Sequence, residues 1–209
     1  MQRIAELEKE IQVHKRELEN LSGNAKPDFI NTDLKQPDLD YIPARVTRNL
    51  ISGLNNHIIL NKGSKDGVAE DMAVVSVQGI VGVVTIVTTN YSRVMPVLNT
   101  RYNPSCMINR FPGTLSWDGN DPRYATLSRL PSHTASSIGD TVVTSGYSET
   151  FPEGVPVGIV EDAFKQKNEE SNSLKVRLFT DFSTLKEVFI ISNPLLEELK
   201  KIEKGVVEK

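Results

Sequence analysis

Short runs rich in Val, Ile and Thr recur between Tyr41 and about residue 193, and Gly, Pro or Asn interrupts them roughly every eight to twelve residues. No helix-period segment of ordinary length separates these runs, so the region is predicted to be all-β and antiparallel. About a dozen short strands in this space favour two small barrels of roughly six strands each, because closing a barrel removes exposed strand edges. The runs are YIPARVTR, HIILN, AVVSVQ, IVGVVTIVT, RVMPVL, SCMINR, TLSW, RYATLSR, TVVTS, VGIVE, LKVRLF and VFIIS.

The sequence indicates the strands more clearly than it indicates where the first barrel ends and the second begins. We place the internal boundary near residues 97–100, within the domain at 41–193. One barrel could also take strands from both ends of this domain. The fold class is therefore mainly β, with an N-terminal coiled-coil helix followed by two small antiparallel barrels.

Residues 1–22 carry a heptad pattern that predicts a coiled-coil dimerisation helix. If two copies align in parallel, Arg3 faces Glu8 of the second copy and Glu10 faces Lys15, and both pairs attract. The pattern therefore favours a parallel homodimer over the alternative, a single amphipathic helix packed on the chain's own core. The a and d positions are Ile4, Leu7, Ile11, His14, Leu18 and Leu21, with His14 as a tolerated polar residue.

A linker at 23–40, with two prolines and no periodicity, separates this helix from the β region. At the other end, residues 194–209 form a short helical or frayed tail, with Leu195, Leu199 and Ile202 on one face. No run of about 18 apolar residues occurs, so no membrane-spanning helix is predicted. Because the chain starts already in heptad phase, we expect the natural N-terminus to lie further upstream.

The composition excludes several classes of function. The net charge is −3 and Lys and Arg are scattered, which argues against nucleic-acid binding. The single cysteine, Cys106, excludes an intramolecular disulfide and a Cys-based zinc site. The segment NKGSKDGVAED lacks the ligand alternation of a calcium loop, and we expect a turn in which Gly63 and Gly67 adopt positive φ. We therefore expect no metal and no cofactor.

A serine hydrolase is the alternative function that the sequence raises. His57, then Asp118 or Asp140, then Ser145 follow the chain order of chymotrypsin-like proteases. However, VVTSGY has neither the GDSGG run that builds an oxyanion hole nor a G-x-S-x-G elbow, and nothing local ties His57 or His133 to Ser145. The simpler interpretation is a strand end followed by a turn.

Two long motifs stand out in the chain: LNKGSKDGVAEDMAVVSVQGIVGVV at 60–84 and GDTVVTSGYSETFPEGVPVGIV at 139–160. With these two motifs, in this order, the chain resembles the MreC family of bacterial rod-shape-determining proteins. In that family these segments are structural parts of the β domains, not a catalytic loop. The positions that match are Gly63, Gly67, Gly79, Gly82, Gly139, Asp140, Thr144, Ser145, Gly146, Phe151, Pro152, Gly154, Val157 and Gly158.

The resemblance implies a non-enzymatic scaffold of the cell-elongation complex that positions or activates peptidoglycan synthases and so maintains rod shape. It implies a single-pass protein of the cytoplasmic membrane, with this part extracytoplasmic (periplasmic) and the membrane helix outside the sequence. It further implies a homodimer that can self-associate through its β domains. The implied partners are a class B penicillin-binding transpeptidase, MreD, RodA and MreB.

The chain departs from the family pattern at Tyr147 and at residues 148–150, and in the charged insert KQKNEESNS. The departure makes Tyr147 and Phe151 possible partner contacts, since aromatic side chains are favoured interface anchors, although Phe151 could equally be buried. Strand addition to a barrel edge is another possible mode of binding. Direct glycan binding is disfavoured because only 6% of residues are aromatic, and we expect the single tryptophan, Trp117, to be buried as a barrel cap.

Overall fold

The computed structural model describes residues 39–132, 134–147, 150–165 and 172–192. The predicted coiled-coil helix at 1–22, almost all of the linker at 23–40 and the tail at 194–209 lie outside the described residues, so they stay predictions. Most of the charged insert lies outside as well. Within the described ranges, no helix is long and apolar enough to cross a membrane.

Twelve β-strands form the described part of the chain, and each overlaps one of the runs identified in the sequence. A single turn of 3-10 helix at Ser64–Asp66 lies between the second and third strands. The strands are β1 (Asp40–Leu50), β2 (His57–Leu60), β3 (Ala73–Val75), β4 (Ile80–Val87), β5 (Ser92–Pro96), β6 (Ser105–Ile108), β7 (Phe111–Ser116), β8 (Tyr124–Leu130), β9 (Thr141–Thr144), β10 (Pro156–Lys165), β11 (Asn172–Leu178) and β12 (Glu187–Ser192).

The strands close into two antiparallel barrels of six, which confirms the predicted fold of the β region. The first barrel has the order β1-β12-β3-β4-β5-β2, and the second has the order β10-β11-β8-β7-β6-β9. The last strand, β12, pairs with β1, with Asp40 opposite Ser192. Both ends of the β region therefore leave the first barrel side by side, at the end where β1 begins.

The barrel interiors are filled by side chains that alternate along the strands. In β2 and β9, for example, every second residue is buried. Such alternation with period two is what a strand with one face on a core requires. Branched and aliphatic side chains dominate both interiors, among them Ile58, Leu60, Val94, Leu115, Leu127, Leu174 and Ile190, each no more than 1% exposed.

Glycines in the first motif are required mainly where two backbones approach closely. A Cβ on Gly82 in β4 would lie 2.1 Å from the carbonyl oxygen of Met95 in the neighbouring strand. The expectation of positive φ holds for Gly67, with φ 86°, but was wrong for Gly63, with φ −142°. A Cβ on Gly63 would instead lie 2.2 Å from the carbonyl oxygen of Thr88, so lack of space explains that glycine.

The connection from β11 to β12 crosses from the second barrel to the first and is hydrogen-bonded to the β3–β4 hairpin. Thr180 donates to the carbonyl of Ile80 at 2.9 Å, and the Asp181 amide donates to Oε1 of Gln78 at 3.1 Å. The same hairpin reaches β10, because a Cβ on Gly79 would lie 2.4 Å from the carbonyl oxygen of Pro156. Backbone and side-chain contacts thus join the two barrels at this junction.

Candidate partner-binding surface

The residues of the hydrolase alternative are dispersed. Ser145 is 2% exposed, and its Oγ donates to Ser105, whose Oγ lies 2.8 Å away. Asp140 accepts hydrogen bonds from the Asn109 side chain and the Ser137 amide, both at 2.9 Å. His57 begins β2 in the other barrel. Among the described residues no hydrogen bond joins Ser145 to a histidine or a carboxylate, so the structure does not support a catalytic serine.

Asp118 and Trp117 belong to the turn that follows β7. Asp118 accepts hydrogen bonds from the amide and side chain of Asn120 at 3.0 and 2.9 Å, and these hydrogen bonds lower its pKa. Trp117 is 5% exposed and donates from Nε1 to the Asp121 carbonyl at 3.0 Å. Its burial at the end of the barrel agrees with the expected capping role. The Asp118 carboxylate therefore stabilises a turn, and among the described residues no hydrogen bond joins it to a serine.

Within the second family motif, the segment between β9 and β10 closes back on β9. Thr144 Oγ1 donates to the Pro152 carbonyl at 2.5 Å and accepts from the Val155 amide at 2.9 Å. Gly139, Gly146 and Gly154 have φ values of 98°, 69° and 88°, in the left-handed region that favours glycine. These motif residues build the turns around β9.

The two candidate partner contacts in this loop have opposite environments. Tyr147 is 76% exposed, whereas Phe151 is 2% exposed. Phe151 was therefore wrongly proposed as a contact, because its ring fills the core and presents no surface. Val157 is also buried, and a Cβ on Gly158 would lie 2.3 Å from the carbonyl oxygen of Arg177, so these positions serve packing. Tyr147 stays a candidate.

Strand addition is not supported as a mode of binding. Each of the twelve strands pairs on both sides within its closed barrel. A closed barrel offers no row of free backbone groups for an extended peptide. A partner of the described region would therefore have to contact side chains and loops.

A groove at the junction of the barrels offers such side chains. It has a volume of about 480 Å³ and combines Asp121, Pro122 and Arg123 with the crossover residues that follow Arg177. We call it the junction groove. Leu178, Phe179 and Phe182 make much of its wall apolar, and it is lined by Asp121, Pro122, Arg123, Arg177, Leu178, Phe179, Thr180, Asp181, Phe182 and Ser183.

A second groove adjoins the first and shares Asp121 and Arg123 with it. This tyrosine groove, of about 520 Å³, lies on the outer face of the second barrel. Lys175 Nζ lies 4.0 Å from the centre of the Tyr124 ring, and the guanidinium of Arg123 lies 5.4 Å from it. Phe164, at the rim, is 39% exposed. The residues lining it are Asp118, Asn120, Asp121, Arg123, Tyr124, Ala125, Thr126, Phe164 and Lys175.

Ion pairs hold the charged groups of the two grooves in place. Arg123 contacts Asp121 through two nitrogens, with Nη2 2.6 Å from Oδ2 and Nε 3.0 Å from Oδ1. The hydrogen bonds from Arg123 lower the pKa of Asp121 to about 2. Glu161 lies 3.7 Å from Lys175 and 3.8 Å from Arg177. Exposed aromatic and arginine side chains in fixed positions are typical of protein interfaces.

The sequence offered no signal for these grooves. Tyr124, Glu161 and Lys175 belong to three different strands, and only the pairing of β8 with β11 and of β11 with β10 brings them together. Among the described residues, no cluster of His, Cys, Asp and Glu could hold a metal ion. Cys106 is buried, and burial raises the pKa of its thiol to about 12, so it is unsuited to nucleophilic chemistry.

Known proteins of similar sequence and fold give the family. The family model described as "Rod shape-determining protein MreC, barrel core" matches residues 46–192. The cell shape-determining protein MreC of Escherichia coli K12 is 29% identical over 134 residues, which cover 64% of this chain and 36% of that protein. MreC of Listeria monocytogenes is 27% identical over 199 residues, covering 91% of this chain and 65% of that protein. The chain thus spans less than two thirds of either relative.

Solved structures show the same fold. A structure of Listeria monocytogenes MreC has a TM-score of 0.69 at 25% identity and covers 91% of both chains. MreC from a complex with the penicillin-binding protein PBP2 of Helicobacter pylori has a TM-score of 0.60 at 20% identity, covering 74% of this chain and 98% of that one. Since the family model spans both barrels, the chain belongs to the MreC family of rod shape-determining proteins.

Proposed function

We propose that this chain is a non-enzymatic scaffold that docks a class B penicillin-binding transpeptidase and positions or activates it for cell elongation. The observation that carries the proposal is the shared fold with an MreC solved in complex with PBP2. The buried, hydrogen-bonded state of Ser145 supports a role in binding rather than hydrolysis. Accordingly, we expect a fluorophosphonate probe to leave the folded protein unlabelled, and labelling that disappears in Ser145→Ala would contradict a purely non-enzymatic role.

The proposed assembly places this chain outside the cytoplasmic membrane, tethered by an upstream membrane helix. Residues 1–22 pair as a parallel coiled coil, and the β domains add further self-association. MreD, RodA and MreB complete the complex. The fold supports this arrangement because Asp40 and Ser192 leave one end of the first barrel together, whereas Asn49, near the other end of β1, donates to the Phe182 carbonyl at the junction groove. The groove is therefore held away from the proposed tether.

The surface proposed for the transpeptidase is the junction groove together with the tyrosine groove. Arg123 lies between them, held by Asp121, and the apolar wall and exposed aromatic rim lie on either side. Arg123 already forms a bidentate pair with Asp121, so ordering its side chain on binding costs less than ordering an unpaired arginine. Tyr147 is an alternative anchor because of its exposure.

Binding of the purified transpeptidase ectodomain to this chain, measured by biolayer interferometry, tests the proposal. We expect Phe164→Ala to weaken binding by about tenfold, as truncation of an interface anchor does. Tyr91→Ala is the matched control, because Tyr91 is also a half-exposed aromatic residue but lines neither groove. We expect it to bind like the wild type.

The outcomes separate the function from the surface. If the wild-type chain does not bind the ectodomain, the scaffold proposal fails. If binding occurs but Phe164→Ala and Tyr91→Ala behave alike, the surface is wrong. Loss of binding in Tyr147→Ala alone would move the contact to the loop after β9.

A further inference from the structure

A basic pocket lies on the outside of the first barrel, apart from the two grooves. Its volume is about 230 Å³, and its charged and polar walls include His57, Arg93, Arg101, Asn55 and Thr85. Met95 contributes an apolar portion. None of the described residues that line it carries a carboxylate. The described lining of the pocket is therefore cationic, whereas the whole chain carries a net charge of −3.

Strand pairing and a buried amide frame build this pocket. Arg93 lies on β5 between Ile59 of β2 and Ile86 of β4. The β4–β5 register shifts beside Thr85, whose hydroxyl donates to the Arg93 carbonyl at 3.3 Å and accepts from Arg93 Nε at 3.5 Å. The bulge thus places a hydroxyl against the arginine side chain.

The frame under Arg101 is formed by two asparagines that are 3% and 5% exposed, Asn56 and Asn99. Asn99 accepts from the Arg101 amide at 3.0 Å and donates to the Asn56 carbonyl at 2.9 Å. Asn56 in turn donates to the Leu98 carbonyl at 2.6 Å. The amides are thus occupied by the backbone, and they fix the position from which the Arg101 side chain extends.

The cations of this pocket differ from those of the grooves. Arg123, Lys175 and Arg177 each lie within 4 Å of a carboxylate. Among the ion pairs of the described residues, none involves Arg93 or Arg101. Arg93 and Arg101 line the same pocket, and Nε of Arg93 donates to Thr85. Guanidinium groups without an internal counter-ion have their remaining nitrogen donors available for an external oxyanion.

We propose that the basic pocket receives the carboxylate of an Asp or Glu side chain from the protein partner. The inference rests on the proposed function and adds a charged anchor to it. A volume of about 230 Å³ lies below the range of about 300–1,000 Å³ that is usual for small-molecule sites, so it suits one side chain better than a complete ligand. Arg93 and Arg101 supply planar, charged donors, and His57 and Asn55 supply further donors at the rim.

The first test uses the α-amide of N-acetylglutamate as a probe, in which the side chain holds the sole carboxylate, and needs no partner. At constant ionic strength, we expect the His57 ring resonances in the NMR spectrum to shift saturably with this probe but not with the α-amide of N-acetylglutamine. Arg93→Gln with Arg101→Gln should abolish the shift, whereas Arg45→Gln, which removes a cation from β1 of the same barrel, should retain it. Absence of a saturable shift in the wild-type chain would overturn the inference. A shift with inorganic phosphate but not with the glutamate probe would overturn it as well.

The second test uses the transpeptidase ectodomain. We expect the double variant Arg93→Gln with Arg101→Gln to bind the ectodomain about tenfold or more weakly than the wild type. The affinity of the double variant Arg93→Lys with Arg101→Lys should lie between that of the wild type and that of the double Gln variant, because lysine keeps the charge but lacks the planar guanidinium. Arg45→Gln should change affinity by less than about twofold. If the ectodomain binds the wild type and the double Gln variant equally, the inference is overturned while the scaffold function stands. If it does not bind the wild type, the scaffold function fails together with the inference that rests on it.

Discussion

The hydroxyl groups of Ser76 and Thr180 lie 3.1 Å apart in the buried junction between the two barrels. Ser76 donates its proton to the Gly79 carbonyl of its own hairpin at 3.2 Å, and Thr180 donates its proton to the Ile80 carbonyl at 2.9 Å. A residue of the crossover from the second barrel is thereby connected to the β3–β4 hairpin of the first. These bonds hold in place the wall of the junction groove to which Thr180 belongs.

Replacing Thr180 by valine should destabilise the protein. The change keeps the shape of the side chain but removes the donor to the buried Ile80 carbonyl, so we expect a loss of about 1–3 kcal/mol in the free energy of unfolding. Urea denaturation followed by circular dichroism measures it. Thr89→Val, at an exposed site in the turn between β4 and β5, is the control and should change stability by less than about 0.5 kcal/mol. Equal losses would show that the buried hydroxyl has no special role.

The aromatic residues of the loop after β9 should differ sharply in their contribution to stability. Phe151→Ala empties a core site that is 2% exposed and should cost about 3–5 kcal/mol. Tyr147→Ala alters a side chain that is 76% exposed and should leave stability within about 0.5 kcal/mol. Thermal and urea unfolding of the two variants and of the wild type measure these changes in stability. A mild effect of Phe151→Ala would mean that its ring does not fill the core.

The Asp121 carboxyl should titrate at unusually low pH. Hydrogen bonds from Arg123 lower its pKa to about 2, against about 3.9 in an unfolded chain. Because the folded-state pKa is depressed, the stabilising contribution of this pair is present above about pH 4 and is lost as pH falls toward about 2. Carbon-13 NMR of the carboxyl should show the low midpoint. In Arg123→Gln the midpoint should rise toward about 4, while Arg45→Gln should leave it unchanged, and a wild-type midpoint near 4 would contradict the ion pair.

Dimerisation should depend on the heptad core of residues 1–22, which lie outside the described part of the structure. We expect Ile11→Asp combined with Leu18→Asp to convert a dimer into a folded monomer, because buried carboxylates destabilise a coiled-coil seam. Light scattering over a range of concentrations measures the mass. Gln12→Asp combined with Asn20→Asp adds the same charges outside the seam and should preserve the dimer. A wild-type chain that stays monomeric would remove support for the coiled coil.

The strands were predictable because their signal is local. The run HIIL of β2 is rich in Ile and lies between Asn56 and Asn61, and such a run between turn residues indicates a strand in the sequence itself. The turn at Gly67 was predictable for the same reason, since only glycine adopts its φ readily. Gly63 was misjudged because its constraint is the carbonyl of Thr88, a residue far away in the chain.

The candidate surfaces could not be predicted, because each gathers residues from strands that are distant in the chain. Arg93 and Arg101 meet His57 only after β2 and β5 pair. Tyr124 meets Lys175 only after β8 and β11 pair. Neither pairing has a local signature, since many registers would bury the same apolar faces.

The sequence by itself determined the β class, the approximate strands, the turn at Gly67 and the family, since these depend on neighbouring residues and on ordered motifs. Tertiary structure alone decided that Phe151 is buried while Tyr147 is exposed, and that the hydroxyls of Ser76 and Thr180, 104 residues apart, meet between the barrels. The physical reason is that barrel closure selects one set of long-range pairings by burying both interiors at once. Those pairings then decide which charged and aromatic side chains lie together on the surface.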